Sequence, residues 1–365
     1  MKKSIAFLVP SLGDMGGSVR VATQLANALC ERYETMIISC AKFDQAAFYL
    51  KESIETFSLD VQGKRVREKV QEAKEPLTAL LVHKKPDILF GIGTYETLMA
   101  IRPARSTKTK LVFCDHGALI NQWDDKQMRA IRLLDALFSS KTVTLTHRSL
   151  EDYRSRLHVS RKKLICIPNW VSHELLDARR PYHVAAKKLL WAGRLDREKG
   201  VDHLVEIAAR VLPRHPDWTW DVFGEVVAGN EFDIAEEIAR RGIADQVRLM
   251  GKVDNLYQLY SEYAVVTLTS YREGLPLVLL EGKACALPLI SFDVNTGPSD
   301  IIEDGVDGFL VPCYDRDVYA KKLDALMSDE SLRVRMSQAS QKGIARFCED
   351  AIYVQWENLI EGLVS

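Results

Sequence analysis

Short apolar runs alternate with longer amphipathic stretches along the whole sequence. The runs have the length of buried strands, and stretches with helical spacing, such as Val19–Leu29, Val201–Leu212 and Val318–Met327, lie between them. Because two parallel strands need a crossover, usually a helix, this alternation predicts parallel sheets with helices on both faces. The runs fall into two series of six. We therefore expect an α/β chain with two Rossmann-like, doubly wound domains facing across a cleft. The predicted strands are Ile5–Val9, Thr35–Ser39, Asp87–Phe90, Lys110–Cys114, Thr142–Leu145 and Lys163–Ile167, followed by Lys188–Ala192, Thr219–Phe223, Val247–Met250, Ala264–Thr269, Leu287–Phe292 and Gly308–Val311.

The alternation breaks over Ser172–Val184, where we place the boundary between the domains. The first domain is expected over residues 1–175 and the second over residues 186–346. Residues 347–365 carry aromatic and aliphatic side chains at helical spacing, among them Tyr353, Trp356 and Leu359. This segment predicts a terminal helix that packs back on the N-terminal domain.

Charge is distributed unevenly between the two halves. Residues 1–180 hold 29 Lys and Arg against 20 Asp and Glu, a net charge of +9, whereas residues 181–365 hold 20 against 30, a net charge of −10. A basic half suits an anionic partner, and both nucleic acid and an anionic membrane surface fit this requirement. Ordinary solvated surface is the third interpretation.

The cysteines indicate a reducing compartment. All seven lack CxxC spacing and most lie in apolar runs, which is typical of buried free thiols in the cytoplasm. We expect no secretory leader, and no stretch approaches the ~20 apolar residues of a membrane span. The sequence therefore predicts a cytoplasmic protein that is soluble or lies at the periphery of a membrane.

The segment from Glu273 to Glu281 carries the strongest chemical signal. Glu273 follows an apolar run, and Glu281 lies eight residues later within a helical pattern. Gly274 lets a ligand approach the backbone closely, and Pro276 suits the first position of a helix. An open helix N-terminus favours phosphate, and carboxylates accept hydrogen bonds from hydroxyls. These preferences together outline a nucleotide sugar, although two solvated glutamates would give the same pattern.

A second loop in the same predicted domain carries two cations. Arg194 and Lys199 lie between a predicted strand and a helix, within Gly193–Gly200. A guanidinium and an ammonium at the carboxyl edge of a sheet can bind a diphosphate and stabilise the negative charge that develops as a bond breaks. Alone, the two cations are better explained as solvated loop residues; beside the Glu273 segment they favour phosphate.

Two loops of the first domain are also candidates. Gly16 and Gly17 stand at the first strand-to-helix turn, where backbone amides can face a phosphate or sugar. The pattern is not GxGxxG, which argues against a nicotinamide or flavin cofactor. Asp115 and His116 end another strand, and only one of two adjacent extended residues is expected to face the ligand. The Gly91–Gly93 turn before Glu96 is interpreted as a tight turn.

The sequence gives little support for a metal site. Asp315 and Asp317 have the Asp-x-Asp form that can hold Mg²⁺, but they directly precede a helical pattern, so N-capping explains them better. The eight histidines show no paired-ligand spacing. We expect neither a divalent metal nor another cofactor.

Taken in order, the motifs resemble the retaining glycosyltransferases of family 4, which have the GT-B fold. The order of the motifs is more specific than any one of them, and they extend over most of the chain. The Phe292–Ile302 segment is similar to bacterial members that build surface polysaccharides or lipid-linked oligosaccharides. The matching residues are Gly16-Gly17, His116, Pro168–Val171, Gly193-Arg194, Lys199-Gly200, Phe223-Gly224, Gly251, the Glu273 and Glu281 pair, and Gly305–Pro312.

The resemblance implies that residues 1–175 bind the acceptor and residues 186–346 bind the nucleotide sugar. It also implies a role for each matching position. Arg194 and Lys199 would bind the donor diphosphate, and Glu273 would hold hydroxyls of the transferred sugar. His116 would lie near C6 of that sugar. The remaining implied contacts are the backbone amides of Gly274 and Leu275 with the sugar, Glu281 with the ribose, Gly251 and Lys252 with the base, and Gly16 and Gly17 with the donor at the reaction centre.

The resemblance also implies the reaction. A hexose or N-acetylhexosamine would move from a nucleotide sugar, by family preference a UDP-sugar, to a saccharide acceptor that is lipid-linked, in bacterial surface glycan synthesis. Attack on the same face as the departing diphosphate would retain the configuration without a protein nucleophile or a metal. Nucleic acid would not be a partner. A GT-B nucleotide-sugar epimerase and a non-catalytic nucleotide-sugar-binding subunit are the alternatives, while a pyridoxal-dependent phosphorylase is typically much larger.

Two segments of the basic half suit an anionic membrane surface. Gln62–Lys74 places five cations on a predicted helix, and Trp123–Phe138 combines Arg129 and Arg132 with several apolar side chains. Either could guide a polyprenyl-diphosphate-linked acceptor to the site. A solvated helix and a core helix are the simpler interpretations.

Overall fold

Two parallel sheets organise the chain in the computed structural model, which describes residues 2–226, 232–253 and 255–364. The chain divides into two compact units. The first unit extends to Asn169 and takes up the chain again from Ile352, and the second unit is Trp170–Ala351. The first unit therefore ends slightly before residue 175, the sequence-based bound.

The first unit contains a seven-stranded parallel sheet in the order β3-β2-β1-β4-β5-β6-β7. Its central strands are apolar and buried, as expected for strands covered on both faces. The strands are β1 Ser4–Val9, β2 Glu34–Ser39, β3 Glu55–Ser58, β4 Ile88–Ile92, β5 Lys110–Asp115, β6 Lys141–Thr144 and β7 Leu164–Cys166. The helices are α1 Gly17–Leu29, α2 Val66–Lys84, α3 Thr94–Thr107, α4 Lys126–Phe138 and α5 His147–Arg156, with short 3₁₀ turns at Leu119–Gln122 and Arg161–Lys163.

The second unit contains a six-stranded parallel sheet in the order β10-β9-β8-β11-β12-β13. Its strands are β8 Lys188–Ala192, β9 Thr219–Phe223, β10 Val247–Gly251, β11 Val265–Leu268, β12 Leu289–Phe292 and β13 Gly308–Val311. Its helices are α6 His173–Ala178, α7 Val201–Val211, α8 Ile234–Arg240, α9 Leu277–Ala284, α10 Pro298–Ile301, α11 Arg316–Ser328 and α12 Glu330–Ser340, with 3₁₀ turns at Leu212–Arg214, Tyr260–Glu262 and Gln341–Phe347.

The last helix, α13 (Glu349–Val364), begins in the second unit and continues into the first. Trp356 is 3% exposed, and its ring meets Phe90 of β4 edge-on at a centroid distance of 5.8 Å. Tyr33 donates a hydrogen bond of 2.7 Å to Glu361 on the same helix. The terminal helix is therefore part of the core of the first unit.

The predicted fold class, two Rossmann-like parallel sheets with helices, is confirmed. Each predicted strand is present, and β3 is an additional edge strand that the apolar pattern did not indicate because its residues are largely exposed. Asp315 accepts a hydrogen bond from the amide of Val318 at 2.9 Å, which confirms the predicted N-cap of α11. Within the part of the chain that the structure describes, no helix is long and apolar enough to cross a membrane.

Replacing Trp356 with alanine is expected to destabilise the protein by about 3–5 kcal/mol, because the change leaves a cavity beside Phe90. Urea unfolding followed by circular dichroism measures this loss. Val354 on the same helix is 53% exposed, so Val354→Ala is the matched control and should change the free energy of unfolding by less than about 0.5 kcal/mol. Equal effects of the two substitutions would show that α13 is not part of the core.

Candidate active site

Lys199 and Glu273 meet at the carboxyl edge of the second sheet. Lys199 lies in the loop between β8 and α7, and Glu273 lies in the loop between β11 and α9. These strands are neighbours, so their loops leave the sheet side by side. The Nζ atom of Lys199 is 2.7 Å from Oε1 of Glu273, and Ser270 donates a hydrogen bond of 2.6 Å to the same oxygen. These two contacts hold the carboxylate of Glu273 in place, and the residue is only 7% exposed.

Glycine is required where these two loops touch. Gly200, the N-cap of α7, has a φ of +69°, and a Cβ there would lie 1.9 Å from the carbonyl oxygen of Thr269. No side chain fits in that space. Direct backbone contact thus holds Lys199 beside the loop that carries Glu273.

Arg194 lies at the rim of this site with a largely exposed guanidinium. Its Nη2 atom is 3.0 Å from Asp196 and 3.7 Å from Glu198. The other oxygen of Asp196 accepts a hydrogen bond of 2.9 Å from the amide of Lys199. Asp196 thus links the two cations that the sequence singled out, a role that sequence reasoning missed.

The loop after Glu273 is held from the next strand. Thr296, beyond β12, donates a hydrogen bond of 2.7 Å to the carbonyl oxygen of Glu273. Gly297 has a φ of +97°, and a Cβ there would lie 2.6 Å from the carbonyl oxygen of Gly274. Leu275 is buried, and α9 begins at Leu277. Pro276 is therefore the N-cap and not the first helical residue, because its extended backbone (ψ of 117°) precedes the first turn.

Glu281 and Lys252 occupy contrasting positions. Glu281 on α9 is 5% exposed, and Tyr260 donates a hydrogen bond of 2.7 Å to its carboxylate. Lys252 follows β10, an edge strand, and is exposed. Tyr260 had no sequence signal, because its partner is remote along the chain.

The candidate residues of the first unit lie at the carboxyl edge of its own sheet. Gly16 is the N-cap of α1 and Gly17 its first residue. A Cβ on Gly16 would approach only a methyl group of Val19, at 4.0 Å, so the loop is open. β1, which precedes these glycines, is separated from β5 by β4 alone.

His116 follows β5 and carries an uncharged ring at neutral pH. Burial lowers the pKa of His116 to about 4, while the neighbouring Asp115 acts in the opposite direction. Across the described residues, no hydrogen bond to the His116 ring is found. A neutral imidazole can both donate to and accept from a hydroxyl.

Asp115 is engaged in a buried network of an ion pair and hydrogen bonds. Arg132 forms an ion pair with it, Tyr153 donates a hydrogen bond of 2.7 Å, and the amide of Gly117 donates one of 3.0 Å. Asp115 and Arg132 are each 3% exposed. The expectation that Arg132 belongs to a membrane-facing surface is thus wrong, because its guanidinium is buried in an ion pair with Asp115.

The described residues were also compared for groups of side chains that could bind a metal. In residues 2–226, 232–253 and 255–364, no three His, Cys, Asp or Glu side chains are grouped so that they could hold a metal ion.

Two family profiles match the sequence. "Glycosyltransferase Family 4" matches residues 15–175, and "Glycosyl transferases group 1" matches residues 179–343. The first match falls almost entirely in the first structural unit and the second falls within the second unit.

Known proteins are similar over nearly the whole chain. An exopolysaccharide phosphotransferase of Streptomyces coelicolor is 28% identical over 99% of this chain, which spans only 41% of that protein. The GalNAc-α-(1→4)-GalNAc-α-(1→3)-diNAcBac-PP-undecaprenol α-1,4-N-acetyl-D-galactosaminyltransferase of Campylobacter jejuni is 27% identical over 98% of each chain. The crystal structure of Anabaena HepE in complex with UDP and glucose has a TM-score of 0.81 at 18% identity, over 99% of this chain and 100% of that one. The structural likeness establishes the fold.

The His116 ring is expected to stay neutral between about pH 8 and pH 5, whereas an unperturbed histidine titrates near 6.5. Since the unfolded chain then binds a proton that the folded chain does not, acidification from about pH 6.5 to 4 should weaken the fold. An NMR titration measures the pKa, with His116→Asn identifying the resonance. A midpoint near 6.5 would contradict the lowered pKa of this ring.

Proposed function

Because the chain belongs to the family 4 glycosyltransferases and has their GT-B fold, we propose that it transfers a hexose or an N-acetylhexosamine from a UDP-sugar to a saccharide acceptor. The ion pair between Lys199 and Glu273 is the observation that carries this proposal. It puts an ammonium and a buried carboxylate beside the N-terminus of α9. A diphosphate and the hydroxyls of a sugar need these groups side by side.

Two cations are proposed to bind the donor diphosphate. Lys199 has three N–H donors, so it can keep its contact with Glu273 while donating to a phosphate oxygen. Arg194 is exposed at the rim and can rotate from Asp196 to the phosphate. Negative charge grows on the diphosphate as the sugar departs, and the two cations would stabilise it in the transition state. We propose that they take the place of a divalent metal.

The sugar and the nucleoside are assigned to neighbouring groups. Glu273, oriented by Lys199 and Ser270, would accept hydrogen bonds from sugar hydroxyls beside the backbone of Gly274 and Leu275. Glu281, oriented by Tyr260, would accept those of the ribose. The backbone at Lys252 would meet the base. In the first unit, Gly16, Gly17 and neutral His116 would border the reacting sugar.

We propose that the reaction retains the anomeric configuration by attack on the face from which the diphosphate leaves. Asp115, the carboxylate next to His116, accepts from Arg132, Tyr153 and Gly117. Its engagement argues against a protein nucleophile at this loop. The barrier would then be lowered by positioning and by charge stabilisation on the leaving group.

The proposed acceptor is a glycan on a polyprenyl diphosphate at the cytoplasmic membrane face, in bacterial surface glycan synthesis. The name of the Campylobacter relative gives it an undecaprenol-linked acceptor. On α4, Leu134, Leu137 and Phe138 are 41%, 50% and 52% exposed. Lys163 donates a hydrogen bond of 2.5 Å to the carbonyl oxygen of Leu137, so a cation borders this apolar face. Apolar side chains flanked by cations suit an anionic lipid surface.

Alanine at Arg194, Lys199 or Glu273 is expected to lower turnover by a hundredfold or more, since a lost charge contact costs about 3 kcal/mol in the transition state. The assay follows UDP release from a panel of UDP-hexoses and UDP-N-acetylhexosamines, with and without a polyprenyl-diphosphate-linked N-acetylhexosamine. Arg197 is exposed in the same loop, and Arg197→Ala is the matched control with near wild-type turnover. A wild-type rate in Glu273→Ala would remove that residue from the proposed site.

Exchange of Leu137 and Phe138 for serine is expected to reduce binding to vesicles of phosphatidylglycerol several-fold, because both side chains are exposed on α4. Sedimentation with vesicles at low salt measures the bound fraction. Val82 on α2 is 57% exposed, and Val82→Ser should bind like the wild type. If the wild-type chain does not sediment with these vesicles, the membrane proposal is wrong.

A further inference from the structure

The turn after β4 carries a carboxyl group that the proposed donor chemistry does not use. Glu96 lies in the first turn of α3 and folds back over the turn, since a Cβ on Gly93 would lie 2.4 Å from its Oε2 atom. β4 lies between β1 and β5, so the Glu96 turn shares a sheet edge with the loops of Gly16 and His116. The Gly93 amide donates a hydrogen bond of 3.1 Å to the carbonyl oxygen of Cys114, which fixes the turn on β5.

Glu96 is buried at a cost to stability. The residue is 8% exposed, and no other side chain within the described parts of the chain donates a hydrogen bond to it. Burial raises the pKa of Glu96 to about 7, with smaller opposite effects from a hydrogen bond with its own backbone amide and from Lys69. The other titratable groups that sense its charge are Cys40, beyond β2, and Asp135 on α4. A carboxylate can accept about four hydrogen bonds, so Glu96 keeps acceptor capacity beyond the bond with its own backbone amide.

Two neighbouring side chains complete a set that suits a sugar. The Nζ atom of Lys69, on α2, is 5.4 Å from the centre of the Tyr95 ring, and Tyr95 precedes Glu96 on α3. Lys69 and Tyr95 are half-buried. A carboxylate accepts hydrogen bonds from hydroxyls, an ammonium donates them, and an aromatic face covers apolar C–H groups.

We propose that Glu96, Lys69 and Tyr95 form the subsite for the terminal sugar of the saccharide acceptor. This inference rests on the proposed glycosyl transfer, and it names residues of the first unit that would hold the acceptor. Glu96 would accept hydrogen bonds from two hydroxyls, with Lys69 donating to ring or hydroxyl oxygens and Tyr95 packing on the sugar. The three residues would determine which acceptor sugar is taken, without touching the donor.

Steady-state kinetics of Glu96→Gln test the subsite, with the polyprenyl-diphosphate-linked N-acetylhexosamine as the acceptor probe. The acceptor KM should rise about tenfold or more, which corresponds to at least about 1.4 kcal/mol. The affinity for UDP and the slow hydrolysis of the UDP-sugar by water should stay at wild-type levels. Lys69→Met should show the same split. Glu75 is exposed on α2, and Glu75→Gln is the matched control that leaves all three quantities unchanged.

The outcomes separate this inference from the proposed function. If the wild-type chain transfers sugar but Glu96→Gln and Lys69→Met keep the wild-type acceptor KM, the subsite is wrong and the proposed function stands. An equal loss of donor hydrolysis and transfer in both variants would also overturn it, since the effect would then be general. A wild-type chain that binds no UDP and transfers no sugar overturns both. Thermal unfolding checks folding; removing the buried charge should not lower the melting temperature of Glu96→Gln at pH 8.

Discussion

The ion pair between Lys199 and Glu273 is the interaction on which the second unit's site depends. Both residues follow strands that are sheet neighbours, and a backbone contact that only Gly200 permits brings their loops together. Removing either partner would leave an unpaired charge at a mostly buried position, which is costly. The same pair gives the site its chemistry, since a fixed ammonium beside a fixed carboxylate can bind a phosphate and a hydroxyl at once.

Three buried carboxylates of the chain differ in the side chains that pair with them. Asp115 is paired with Arg132 and serves the architecture of the His116 loop. Glu273 is paired with a half-buried lysine at the edge of a sheet, where a ligand can share the cation. Glu96 has no such side-chain partner, and burial raises its pKa to about 7. The three carboxylates thus differ in how much of their hydrogen-bonding capacity the protein itself uses.

The alternation of apolar and amphipathic segments was enough to predict the fold class, because each buried parallel strand leaves an apolar run. β3 (Glu55–Ser58) was missed because an exposed edge strand is held by backbone pairing with β2, which no side-chain pattern records. Lys199 and Glu273 were both predicted to lie at a sheet edge. Their direct contact depends on β8 and β11 being neighbours, which is a non-local property of the fold. Likewise, Arg132 gave no sign of its burial, because its partner Asp115 lies on another element.

The central claim is that the second unit binds a nucleoside diphosphate between the Lys199 loop and the N-terminus of α9. A crystal structure of the chain with UDP tests it most directly. We expect phosphate oxygens within hydrogen-bond distance of Lys199 and Arg194, and the ribose hydroxyls on Glu281. A diphosphate bound elsewhere, with the contact between Lys199 and Glu273 unchanged and both cations facing solvent, would contradict the account.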